Sequence, residues 1–326
     1  MSDTNESPQK KKQIPFIEIL KQAARIVWEH RFLLWFGLLL ALGSPESFNI
    51  GRNNNKLDHQ GEAAKNFLAN HWQTVAVIAV VVFIVGILLF LVSLVAKAGL
   101  VKSVNLIVLH KTTSFREGWR SGKKYLGTLL GLSLLFFIAV FLVVVVLAIP
   151  VIYLIAAQSW FSAILVGILA IAIFFPLIFI FTITKTYAEF YIILSDIHLG
   201  SAIETGYLLL LKNIGNSIIF SLLLFAVSLV AGIVLLPVAG IALVILVPTG
   251  ITFFYLSKIA FAIFIGFAVL LFVAALLFVS SIFQTYKMTA WTLFFQEIAK
   301  VEKKPEAEEV AEEGLEELPA TPEKVI

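Results

Sequence analysis

Basic residues crowd one stretch of this chain, and cations held at a membrane surface do one kind of chemistry: they bind anionic headgroups. Between Lys97 and Lys124 there are seven Lys and Arg residues and one acid, Glu117. Each basic residue beside an anionic leaflet contributes about 1 kcal/mol, which in sum would hold the segment on the surface. Lys102, Arg116, Arg120, Lys123 and Lys124, with Lys212 in a later matching stretch, are therefore the candidate anionic-lipid contacts. The competing reading is that these charges only set topology. Other chemistry lacks a carrier. There is no Gly-rich phosphate loop, no His-Glu-x-x-His and no Gly-x-Ser-x-Gly. His110, His198 and Asp196 read better as turn residues at a wet helix junction than as a catalytic pair. Asp58, His59 and His71 lack a regular ligand spacing. With no cysteine, thiol chemistry and cysteine-ligated metals drop out. No catalytic residue, cofactor or metal is expected, and the chain reads as a non-enzyme.

The elements that must position these residues follow from composition. Of 326 residues, 60% are hydrophobic and 14% charged, against about 25% charged in a soluble domain, and the net charge is only +3. The apolar excess lies in long uncharged runs, which only helices can carry across a hydrocarbon layer of about 30 Å. The reading is an all-α polytopic membrane protein with about six transmembrane helices, near 32–45, 74–95, 126–149, 161–184, 217–236 and 259–283. The first is short and directly follows Glu29, His30 and Arg31, so it would have to thin the bilayer or snorkel its flanks. Pro176 is a candidate kink. The apolar stretch 237–257, broken by Pro237, Gly240, Pro248 and Gly250, is expected to be re-entrant or interfacial rather than a further span.

Lysine and arginine placement orients the chain. The segment up to Arg31 carries six, Lys97–Lys124 seven and the later segments on the same side seven more, against four on the other face: Arg52, Lys56, Lys65 and Lys258. Both termini are expected in the cytoplasm, with the protein in a bacterial inner membrane. Trp35, Trp72, Trp160 and Trp291 fall near span ends, where amphipathic rings favour the headgroup level. Met1–Gln13 is polar and no cleavage pattern follows it, so a cleavable signal is not expected.

A repeat runs through the approaches to the spans. Gly118-Trp119 is followed by Lys124 and Gly127, and Gly206-Tyr207 by Lys212 and Gly215, at an offset of 88 that His110 and His198 share. Ser114 with Glu117 and Ser201 with Glu204 form possible capping boxes. A fainter third copy begins near Pro15, with Ala23 in the glycine's place. Three hairpin units result, each preceded by a cytoplasmic amphipathic helix. Gly127 with Gly131, Ala163 with Gly167 and Ala262 with Gly266 are small-xxx-small pairs, expected to pack helices within the chain rather than between copies.

The five firmest spans contain no Asp, Glu, Lys, Arg or His, which argues against ion-coupled transport. Residues Ala24 to Gly37, the stretch Phe115-Arg116-Glu117-Gly118-Trp119, and Ala202 to Tyr207 through Lys212-Asn213 resemble the six-helix membrane domain of glycerophosphodiester phosphodiesterases and its stand-alone bacterial relatives. In that family the chemistry belongs to a separate soluble barrel. The resemblance, over roughly Ile14 to Lys300, thus implies the membrane module without the enzyme.

The chain then divides into a tail over 1–13, a membrane domain over 14–300 and an acidic tail over 301–326, whose nine glutamates between Glu302 and Glu323 suit a disordered segment or a dock for a basic partner protein. Membrane lipids are the expected partners, and nucleic acid is not. The leading expectation is a lipid-interacting or partner-organising membrane protein. A permease for an apolar solute and a membrane subunit of an enzyme complex are the alternatives.

Overall fold

A computed structural model describes residues 14–43 and 72–316, which are helical apart from short turns, with no strand among them. The first two helices are α1, Phe16–Glu29, and α2, Leu33–Gly43. Long helices follow: α3, Trp72–Val108, α4, Phe115–Ala156, and α5, Trp160–Ser195. The short α6, Leu199–Lys212, then leads into α7, Ile214–Leu256, and α8, Lys258–Glu316. The tail 1–13, the loop 44–71 with its Asp58, His59 and His71, and the terminal 317–326 lie outside the described residues. Five helices are long and apolar enough to cross a membrane, or six if α1 and α2 count as one span. The protein is an all-α, multi-pass membrane protein.

Two physical regimes divide the long helices. With a rise of 1.5 Å per residue, the 42 residues of α4 extend about 63 Å, twice the hydrocarbon thickness. At the end of the bundle holding turns 109–114 and 196–198, the helices pack closely. Leu100 of α3, Leu129 and Leu132 of α4, and Tyr187, Phe190 and Ile193 of α5 are enclosed there with Leu209 of α6, Phe220 of α7 and Phe294 of α8. Toward the other end the helices diverge and their apolar side chains stand exposed, as Phe83, Leu142, Ile168, Ile233 and Leu270 do. Such a surface is stable in lipid, where apolar exposure is free and each backbone amide is already bonded within its helix.

α1 buries one face, Ile19, Ala23, Ile26 and Val27, at the spacing of helical turns. It ends at His30, whose backbone N–H donates to the Ile26 carbonyl. The chain then turns by 104° into α2. Over its eleven described residues α2 reaches about 16 Å, short of the hydrocarbon thickness. Contacts with α3 and α8 stabilise it instead: Leu33, Phe36 and Ala41 are enclosed, and the Ser281 hydroxyl donates to the Leu34 carbonyl at 2.6 Å.

The prolines and glycines of the stretch 237–257 do not interrupt the helix, because α7 continues through it as far as Leu256. The far end of the α7–α8 hairpin is held by Phe253 on Phe264 and Phe254 on Phe261, with ring centroids 5.0 and 5.3 Å apart. The acidic stretch up to Glu316 extends α8, in keeping with the high helix propensity of Ala, Glu and Lys. Of the two capping boxes, only the forward half of the first is formed: the Ser114 hydroxyl accepts the Glu117 N–H at 3.4 Å. α6 starts earlier than its Ser201 suggests, with His198 as the residue before the first turn, because Leu199 already packs on the core. Trp291 packs edge-on against Phe220 at 5.1 Å and Tyr187 at 6.3 Å.

The small-xxx-small pairs carry few of the helix contacts expected of them. Side chains added at Gly127, Gly167 and Gly266 would meet open space, Gly131 meets only Leu199, and Ala262 is exposed, while Ala163 is buried. Gly127, Gly167, Ala262 and Gly266 thus face open space, and only Gly131 and Ala163 meet neighbours. Close approach occurs at other glycines. A Cβ on Gly118 would lie 2.5 Å from the Ser103 hydroxyl, one on Gly206 2.9 Å from the Ala188 amide, and one on Gly122 against the Val95 carbonyl.

Candidate functional site

Four helices each turn one strip of residues toward a common space at the point of divergence. α3 contributes Phe90, Ser93, Leu94 and Lys97, α7 contributes Ser221, Leu224, Phe225 and Ser228, and α8 contributes Gln284, Lys287, Met288 and Trp291. All three sets follow the i, i+3, i+4, i+7 spacing of one helix face. α5 adds Ile178, Thr182, Lys185, Thr186 and Glu189, on the same geometry. Together with Leu40 and Gly43 of α2 they enclose a cavity of about 810 Å³, within the range of ligand sites. Phe90, Phe175 and Phe225 stand exposed at its margin, so it opens sideways onto the apolar surface of the spans.

One end of this cavity is charged. Glu189 is almost wholly buried, at 2% exposure, and its carboxylate pairs with the Lys97 ammonium. Lys185, one helical turn before it, lies 3.9 Å from the other carboxylate oxygen. Lys287 lines the same cavity from α8, and no ion pair to it occurs among the described residues. Three lysines against one carboxylate leave two positive charges in excess. Uncompensated charge in an apolar enclosure is costly, so this floor is suited to an anion. The Ser133 hydroxyl adds a donor: it is buried at 7% exposure, lines the cavity and has no hydrogen-bond partner among the described residues. Buried hydroxyls in proteins are normally satisfied, which makes an orphan facing a cavity informative.

The residues singled out from the sequence lie elsewhere. Arg116 and Arg120 are exposed on the first turns of α4, and Lys123 sits over the Trp119 ring at 5.9 Å. Lys124 is exposed and paired with Asp196 at 2.9 Å, and Lys102 donates to the Ile193 carbonyl at 3.3 Å. The Lys124 ammonium, then the Tyr125 hydroxyl and least strongly Lys102 hold the Asp196 carboxyl below the usual carboxylate range. Lys212 is exposed at the end of α6. His110 and Asp196 occupy left-handed turns, at φ 55° and 56°, while His198 precedes α6 in extended backbone, so the two histidines do not share a backbone role.

The cavity lysines did carry a signal. Lys97, Lys185 and Lys287 are each the first charge after an uncharged apolar run, at the end of the returning span of each hairpin, and Lys97 and Lys185 keep the offset of 88. Scanning the interiors of the spans stops short of them by one to four residues.

The model of a family of unknown function, DUF7544, matches residues 27–299. The chain belongs to this family. The match takes in every residue lining the cavity. No curated protein and no solved structure matches the chain. The likeness to the phosphodiesterase membrane domain rests on the sequence motifs alone.

Proposed function

We propose that this DUF7544 member is a non-enzymatic membrane protein that admits a lipid or lipid-like amphiphile between its diverging helices, with both termini in the cytoplasm. The observation carrying this reading is the cavity itself: apolar walls open onto the lipid-facing surface, and cations line one end. An amphiphile has both properties, an apolar chain for the walls and a polar group for the floor.

Three repeated units fit the same reading. The approach segment of each unit packs on the last helix of the unit before it: the start of α4 on α3, α6 on α5 and, closing the cycle, α1 on α8. Gly118, Gly206 and the fully enclosed Ala23 stand at matching positions of these approaches. Each unit then supplies one lysine to the floor.

Native mass spectrometry of the full chain in a mild detergent tests the proposal, beside a Thr182→Trp variant. Thr182 lines the cavity and is itself exposed, so an indole there takes up cavity space without displacing packed core. The expected result is a bound amphiphile in near-stoichiometric amount, lost in the variant. Equal retention by both proteins would contradict the reading. No amphiphile with a stoichiometric soluble enzyme in its place would favour a membrane subunit.

A further inference from the structure

A second cavity, of about 540 Å³, opens between α3, α4 and α5, and its walls are otherwise apolar. It shares Ser133, Thr182 and Lys185 with the first, so the polar residues of the second cavity all stand in the common wall. Lys287 lines the first cavity alone. Resting on the lipid reading above, we infer that the paired cavities select a two-chain lipid with an anionic phosphate headgroup, seated at Lys185, Lys287 and Ser133 with one chain in each cavity.

Charge complementarity decides the headgroup. Lys97 is engaged by Glu189, which leaves an excess of two cations for which a zwitterionic headgroup, neutral overall, compensates poorly. A phosphate spreads its charge over oxygens that accept from ammonium and hydroxyl donors at once, so the orphaned Ser133 hydroxyl gains a partner in the same event. Shape decides the tail number: a single-chain carboxylate would occupy one cavity and leave the other to lipid or water.

The test is lipid titration of the full-length protein in detergent, read by native mass spectrometry. Dioleoyl phosphatidylglycerol, dioleoyl phosphatidylcholine, single-chain lyso-phosphatidylglycerol, oleate and inorganic phosphate are the probes. Dioleoyl phosphatidylglycerol is expected to bind roughly tenfold more tightly than the phosphatidylcholine, whose phosphate accepts the same bonds but whose choline cation adds a positive charge beside the lysines. Lys287→Gln should weaken phosphatidylglycerol more than phosphatidylcholine and so narrow that preference, whereas Lys287→Arg should keep it. Should Lys287→Gln fail to elute as a folded species, Ser133→Ala tests the seat of the phosphate instead: it should weaken both dioleoyl lipids several-fold, and unchanged binding of both would overturn the placement.

Equal binding of the two dioleoyl lipids would overturn the headgroup assignment while leaving lipid uptake standing. Lyso-phosphatidylglycerol or oleate binding as tightly as the dioleoyl form would overturn the two-chain assignment. Displacement of phosphatidylglycerol by inorganic phosphate would overturn the lipid source in favour of a soluble phosphate. Failure of every lipid to bind would remove both this inference and the reading beneath it.

Discussion

Glu189 is the residue on which the electrostatics of the cavity turn. Its carboxylate lies against two lysines and offsets one of their charges from a position with almost no solvent, and it lies five residues past the uncharged run that ends at Thr184. Removing one member of a buried pair strands the other, so Glu189→Gln should lower stability by about 3 kcal/mol, read as a depressed Tm in detergent. A loss well under about 1 kcal/mol would mean that the site is wetter than its burial indicates. The Asp196–Lys124 pair behaves differently, because both side chains are more than half exposed. The folded-state pKa of Asp196 is depressed, so its contribution is present above the unfolded value, about 3.9, and fades as pH falls through the lower folded value. Asp196→Asn should therefore leave Tm nearly unchanged at neutral pH and remove only a small acid-side decline. Asparagine also tolerates the left-handed turn at this position. A Tm profile of the variant that parallels the parent below pH 4 would assign the acid response to other groups.

The elements show where sequence reasoning reached and where it stopped. Uncharged runs locate helices well, since lipid forces each run to satisfy its own backbone; α3, α4 and α5 all contain their expected spans. Helix ends were legible at Ser114, whose hydroxyl caps α4, and not at Ser201, where burial of Leu199 outweighs a local cap. Interhelical contact was the weakest point, because a glycine pair in an apolar run looks the same whether a neighbour is present or lipid is. The structure separates the cases. Gly122→Ala would drive a methyl group into the Val95 backbone and should cost about 1–3 kcal/mol, whereas Gly127→Ala, in open space, should be neutral or stabilise α4 by up to about 1 kcal/mol. Thermal unfolding of the two variants side by side checks this. A destabilised Gly127→Ala would indicate a contact that the monomer lacks, such as one between copies.

At the scale of the whole molecule, the membrane class was legible from composition, and the cavity was not. Its lysines come from three hairpins, and only the cyclic packing of α1 on α8, α4 on α3 and α6 on α5 brings those hairpins round a common space. A spacing search sees one run at a time, so Lys97, Lys185 and Lys287 read as topology markers. Orientation is testable in the cysteine-free chain: a cysteine in place of Asn54 should react with an impermeant maleimide from outside the cell only, and labelling from the cytoplasmic side alone would reverse the assignment. The central claim is that lipid enters the space between the helices, and the most direct measurement is photo-crosslinking in the native membrane from a diazirine residue replacing Phe179, which lines the cavity. The account predicts a lipid adduct at that position, reduced when Thr182 is also changed to Trp. Crosslinks from position 179 confined to the protein's own helices, or a lipid adduct indifferent to Thr182→Trp, would contradict it.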